Sequence, residues 1–260
     1  MLDKTTIDSA GQALFQCLQD RTTLPPLTDT YPDIDINDAY QISQVLLALR
    51  LKAGETVIGK KIGATSRAVQ DMLGVYQPDF GFLTDAMWAR EGLIPTDRLI
   101  APRAEAEIGF RLHTSLQGPG VTAQDVLQAT ESVIACFEIV DSRIRDWKIK
   151  IEDTVADNAS CGVFVLSEEE ISPSGLDLSA LKVIVEKNGQ FLSEGLGTAV
   201  QGAPENAIAW LANTLGEFGI PFNAGEIVLS GSLVPLEPAV AGDHFRMTID
   251  GLGQCEARFV

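Results

Sequence analysis

Two strand-length apolar runs in this chain are interrupted by carboxylates that an ordinary protein interior would not accept. The first, Leu99-Ile100-Ala101-Pro102-Arg103-Ala104-Glu105-Ala106-Glu107-Ile108-Gly109-Phe110, carries Glu105 and Glu107. The second, Cys136-Phe137-Glu138-Ile139-Val140, carries Glu138. Side chains two residues apart in a strand point the same way, so Glu105 and Glu107 share a face with their backbones roughly 7 Å apart. An alternating Glu ordinarily lines the wet side of a sheet. Glu138 argues otherwise here, because Phe137, Ile139 and the preceding Val133-Ile134-Ala135-Cys136 are the context of a buried strand. Anions buried there repel one another and lose their hydration unless a cation sits between them.

Glu105, Glu107 and Glu138 therefore read as ligands of one divalent metal ion. Oxygen-only ligands favour a hard ion, Mg²⁺ or Mn²⁺, over Zn²⁺. The two histidines, His113 and His244, and the scattered Cys17, Cys136, Cys161 and Cys255 offer no zinc spacing. The cysteines read as core filling in a cytosolic protein.

At 260 residues with 45% hydrophobic content, the chain is long enough for a substantial core, and no apolar run approaches the 18 residues of a membrane span. Its start has no basic region followed by an apolar block, which makes the cytosol the expected compartment. A formal net charge of −17 disfavours nucleic acid and anionic membranes as partners. It leaves room for a small anionic substrate held by a local cation.

Helical spacing is expected over Thr6 to Asp20, and again after an Asn37 cap, ending at Gly54. Residues 1–56 thus form an N-terminal helical cap before a β-rich catalytic domain, 57–260. Strands are expected at Val57–Ile62, Leu99–Leu112, Val133–Val140, Gly162–Leu166, Leu181–Lys187, Ile227–Ser230, Phe245–Ile249 and Cys255–Val260, with a hairpin turn at Asn188-Gly189. Helices are expected at Ser66–Leu73, Ala123–Ser132 and Glu205–Phe218. The sum is an α+β fold with a mixed, curled, barrel-like sheet.

Further chemistry can come from Lys61, which alternation places opposite Lys60, so that one of the two lysines can face inward. Both being solvated is the ordinary alternative. Asp79, in Gln77-Pro78-Asp79-Phe80-Gly81, sits in what is also an ordinary turn sequence. The stretch Asp141 to Ser160 directly follows the strand of Glu138 and can line the same pocket. Ser230-Gly231-Ser232 ends another strand with hydroxyls and a glycine that permits close backbone approach.

Taken together, Ile58-Gly59-Lys60-Lys61-Ile62-Gly63, Gln77 to Gly81, Pro102 to Ile108, Ser142-Arg143-Ile144-Arg145-Asp146-Trp147, Asp153 to Gly162 and Leu229 to Pro235 resemble the hydratase and decarboxylase branch of the fumarylacetoacetate hydrolase superfamily. The resemblance implies a mixed β-sheet roll, one Mg²⁺ or Mn²⁺ on Glu105, Glu107 and Glu138, an active-site Lys61, and Asp79 beside it as acid or base. It also implies Ser160, Ser232 and Leu233 as substrate contacts. The implied reaction is addition of water to 2-hydroxypenta-2,4-dienoate, with 4-oxalocrotonate decarboxylation or 2-oxohept-4-ene-1,7-dioate hydration as the family's alternatives. A homo-oligomer, and association with a decarboxylase either as a working hydratase or as a non-catalytic subunit, complete the expectation.

Overall fold

The computed structural model of the chain describes residues 1–260. Helix α1 (Lys4–Asp20) begins on Asp3, whose carboxylate accepts the Thr6 amide. After the single turn α2 (Leu27–Thr30), helix α3 (Ile36–Lys52) begins on Asp35 rather than on Asn37. The reason is a reciprocal pair: Asp35 accepts the Asp38 amide while the Asp38 carboxylate accepts the Asp35 amide. Asn37 lies one residue inside the first turn.

The chain continues through β1 (Val57–Gly63), α4 (Arg67–Leu73), β2 (Asp79–Thr84), β3 (Leu93–Ile94), β4 (Arg103–Leu112), α5 (Ala123–Ala129) and β5 (Thr130–Val140). It then forms α6 (Ile151–Ala156), β6 (Cys161–Leu166), β7 (Lys182–Lys187), β8 (Gln190–Leu196), α7 (Pro204–Glu217), β9 (Ile227–Leu229), β10 (Glu237–Pro238), β11 (His244–Ile249) and β12 (Gly253–Phe259). The larger sheet runs β2-β1-β9-β4-β5-β6 with β10 added on β4, and the smaller runs β3-β12-β11-β7-β8. Both are mixed, because β1 with β9 and β12 with β3 are parallel among otherwise antiparallel pairs. The α+β class with a mixed sheet is as expected.

The sheets share one apolar core, in which Phe137 of β5 meets Phe245 of β11 edge-on and Phe245 meets Phe259 of β12. Ile208, Leu211 and Leu215 of α7 join it. Asn188 and Gly189 both take positive φ in the β7–β8 turn, the conformation that a two-residue hairpin with right-handed strands requires. Residues of α1 and α3 share a second, smaller core with Ala64, Val75, Ile144, Ile149 and Val155.

Three departures from the sequence reading matter. Helix α5 stops at Ala129, and Thr130 to Ser132 open β5, where Thr130 pairs with Leu112. The stretch Asp141 to Ser160, for which no helix was expected, contains α6. Asp79 is not in a turn but begins β2, where it pairs with Gly63.

Behind the sheet end lies a buried cation. The Arg143 side chain is fully enclosed, its Nε donating to Asp157 Oδ1 at 2.6 Å and its terminal nitrogens to the carbonyls of Asp141, Asp157 and Cys161. It ties the segment after β5 to the turn before β6, where Asn158, Ala159 and Ser160 all hold positive φ. Breaking a buried pair leaves the other charge uncompensated. Arg143→Met is expected to destabilise the protein by about 3–5 kcal/mol, with Arg143→Met/Asp157→Leu recovering part of the loss. Denaturant melts check this, and a single variant within 1 kcal/mol (on the order of a surface change) would contradict the assignment.

Candidate active site

Antiparallel pairing of β4 with β5 sets Glu105 directly opposite Glu138 and Glu107 opposite Cys136. Alternation then turns Glu105, Glu107 and Glu138 to one face, as the sequence spacing requires. One carboxylate oxygen from each lies within 4.8 Å of the others. All three side chains are buried, Glu107 and Glu138 completely.

Next to them β1 presents its two lysines in opposite directions. Lys60 turns toward Glu226 and the ring of Phe222, while Lys61 turns toward the carboxylates, with Nζ 3.1 Å from Glu138 Oε1. Both lysines are buried, contrary to the solvated alternative, because each meets an anion on its own face. Asp79, on neighbouring β2, is 3% exposed, and its Oδ2 accepts the Thr154 hydroxyl at 2.8 Å. A Cβ placed on Gly63 would come within 2.4 Å of Asp79 Oδ1 and 3.2 Å of Lys61 Nζ, so the bare backbone of Gly63 is what lets these two groups close over it.

The electrostatics follow from this packing. Burial, then repulsion from Glu138, pushes the Glu105 carboxyl up to about 8 against the pull of Lys61. Glu107 is raised well above its ordinary range by burial, Glu138 and Glu105 in that order. Glu138 is also raised by burial, with Lys61 opposing. Burial would lower the Lys61 ammonium, but Glu138 and then Asp79 outweigh it and hold its pKa above the usual lysine value.

Three carboxylates facing one ammonium would, when ionised, form a set short of positive charge. Glu107 Oε2 accepts the Gly231 amide at 2.8 Å, but its Oε1 and both oxygens of Glu138 are buried with no hydrogen-bond partner, Glu138 Oε1 meeting only the Lys61 ammonium as an ion pair. Buried polar atoms are almost always paired, and unpaired ones call for an explanation. Converging, unsatisfied carboxylate oxygens fit a hard divalent cation. The acidic triad can hold a metal.

A pocket opens above this floor. Lys61, Asp79, Glu105, Thr154 and Ser160 supply its polar lining, and Val69, Leu73, Val75, Val140, Trp147 and Leu236 its apolar walls. Ser160 is where the sequence expected it, its hydroxyl donating to Asp157 Oδ2 at 3.2 Å. Ser232 and Leu233 are not brought in: the Ser232 hydroxyl donates to the Val234 carbonyl and the Leu233 amide to the Ala106 carbonyl. What that loop offers the carboxylates is the Gly231 amide. Thr154, which orients Asp79, and the apolar wall on α4 were not singled out by the sequence, since nothing in local spacing ties Thr154 to Asp79 across 75 positions. His244 Nε2 lies 3.1 Å from Glu256 on the smaller sheet, between β11 and β12 and apart from the acidic triad.

Residues 85–260 match the fumarylacetoacetate hydrolase C-terminal family model. A 2-hydroxyhexa-2,4-dienoate hydratase of Comamonas testosteroni is 60% identical over 262 residues, covering 100% of this chain and 99% of the relative. A 2-hydroxypent-2,4-dienoate hydratase of Pseudomonas putida is 60% identical over 84% of this chain and 100% of the relative. Among solved structures, 4-oxalocrotonate decarboxylase from Pseudomonas putida G7, complexed with magnesium and adipate, matches with a TM-score of 0.95 at 32% identity, covering 100% of this chain and 99% of that one. No helix here is long and apolar enough to cross a membrane. A buried acidic triad on paired strands, a lysine against it and relatives of this identity over full length lead to one statement: the chain belongs to the fumarylacetoacetate hydrolase family and stands within it among the hydratases of 2-hydroxydienoates.

Proposed function

We propose that this chain is a cytosolic hydro-lyase of aromatic meta-cleavage catabolism that adds water to 2-hydroxypenta-2,4-dienoate, giving 4-hydroxy-2-oxopentanoate with the help of Mg²⁺ or Mn²⁺. The observation that carries this reading is the cluster of Glu105, Glu107 and Glu138, with unsatisfied oxygens on the latter two, beside Lys61 and Asp79 at the floor of an apolar-walled pocket. The relatives at 60% identity are hydratases, which favours hydration over decarboxylation.

Glu105, Glu107 and Glu138 would hold the ion. When bound, it supplies Lewis-acid stabilisation of negative charge on the oxygens of a 2-oxo acid. The reaction needs three events on the carbon skeleton. The dienol loses its hydroxyl proton and gains one at C5, water adds its oxygen at C4 of the resulting conjugated ketone, and C3 takes a proton.

Lys61 is held in its charged form by Glu138 and Asp79, so its role is to hold an anionic oxygen of the substrate rather than to take a proton. Asp79 is the proton-handling group. The Thr154 hydroxyl fixes its Oδ2 and leaves Oδ1 on the Gly63 and Lys61 side. Val69, Leu73, Val75 and Trp147 receive the hydrocarbon end and keep bulk water from the charged floor.

Two outcomes check this reading. Hydration of enzymically generated 2-hydroxypenta-2,4-dienoate, followed by loss of dienol absorbance, is expected to stop on chelation and return with Mg²⁺ or Mn²⁺. Glu107→Gln is expected to lower the rate at least about 100-fold through lost metal affinity. Full turnover of chelated protein would remove the metal from the mechanism.

The raised carboxyls also fix a pH dependence of the metal-free protein. The folded state keeps a proton on Glu105 up to about pH 8, whereas the unfolded chain releases it near 4.5. Unfolding therefore releases protons between those values, and the stability that is full below 4.5 is lost as pH rises through about 8. Thermal melts of chelated protein should show Tm falling across this window, with Mg²⁺ restoring more of it at the alkaline end. A flat profile with and without Mg²⁺ would contradict the raised carboxyls.

A further inference from the structure

The unsatisfied oxygens extend beyond Glu107 and Glu138. Among buried side-chain atoms with no hydrogen-bond partner are Glu107 Oε1, both oxygens of Glu138, Ser230 Oγ and Thr65 Oγ1. Thr65 is 6% exposed and sits two residues after Gly63. Between them Ala64, a wall of the pocket, takes φ 53°, a left-handed conformation that is costly for a residue with a side chain. Strain of this kind persists where the surroundings over-determine it, and it concentrates at ligand sites.

Its effect is to set Thr65 against the loop that closes the carboxylate floor. Thr65 Oγ1 would lie 2.0 Å from a Cβ on Gly231, so only a glycine at 231, itself at φ 100°, lets the hydroxyl in. The Gly231 amide is the group that donates to Glu107 Oε2. A threonine hydroxyl in a dry interior normally finds an acceptor, often a backbone carbonyl. This one is held against the carboxylate-binding loop with none, which leaves its proton for an oxygen that arrives from outside.

We propose that Thr65 is a substrate-binding residue whose hydroxyl donates a hydrogen bond to a carboxylate oxygen of the 2-oxo acid, from the Gly231 side of the site. This deepens the hydratase reading and rests on it for the identity of the substrate, but the ligand chemistry needed is only a small 2-oxo acid or its dicarboxylate mimic. Threonine and valine have nearly the same shape and differ in a hydroxyl replaced by a methyl group.

The test uses wild-type protein, Thr65→Val and Thr65→Ser, each measured calorimetrically for Mg²⁺ alone, for oxalate in saturating Mg²⁺, and for thermal stability, then for turnover of 2-hydroxypenta-2,4-dienoate. Thr65→Val is expected to weaken oxalate binding and lower kcat/KM by about 10- to 100-fold, the effect of a lost hydrogen bond to a charged group. Thr65→Ser should recover most of both. Mg²⁺ affinity should be unchanged throughout. Removing an unpaired buried hydroxyl should leave Tm of the ligand-free Val variant equal or higher.

Oxalate affinity unchanged in Thr65→Val would overturn the proposal. So would a Val variant that loses Tm and Mg²⁺ affinity together, since the hydroxyl would then serve the fold. If wild-type protein binds oxalate but does not hydrate the dienol, the substrate assignment fails while the oxalate arm still decides the role of Thr65.

Discussion

Everything in this molecule is arranged around a repulsion: three carboxylates forced together in a dry interior with one ammonium to meet them. Pairing of β4 and β5 creates the problem by setting Glu105 across from Glu138, and β1 supplies the partial answer in Lys61. The remaining negative charge has to be met by protons or by a metal ion. Under the proposed function, folding stability, metal binding and catalysis are therefore not separable properties, since the same oxygens would serve all three.

The sheet also explains why the site can be preorganised without its ligands. Glu105, Glu107 and Glu138 stand on the two strands with the longest shared register in the chain, so their positions are set by backbone pairing and not by loops. Above this floor lie the α4 wall, the turn at Ala64 to Ser66, and the segment tied down by Arg143. An acidic floor on paired strands under a separate apolar cover lets the wall that meets a hydrocarbon end differ without disturbing the carboxylates.

How much of this can be read from the sequence depends on whether the cause is local. Period-two spacing and the apolar flanks of Glu138 were enough to find the acidic triad, because alternation in a strand is a local rule. Asp79 was harder. Aspartate and glycine are poor strand formers, so Asp79-Phe80-Gly81 looks like a turn, and only pairing with β1 makes it a strand. The partner of Lys60 lies 166 positions away, which no spacing argument reaches, and so the burial of both lysines was invisible. Ser232 and Leu233 were chosen as neighbours of a suitable glycine, but the Ser232 hydroxyl is used within its own loop and the Leu233 amide against β4.

The opposed lysines of β1 carry a consequence of their own. Because side chains change face at every step, a displacement of that strand by one position would exchange Lys60 for Lys61 and still deliver an amine to the acidic face. Charge by itself is blind to the error. The strand's correct alignment must be enforced by the asymmetric neighbours, chiefly the need for a side-chain-free residue at Gly63 under Asp79, and a deletion or insertion between positions 57 and 63 would give an enzyme with the right electrostatic sum and the wrong amine in place.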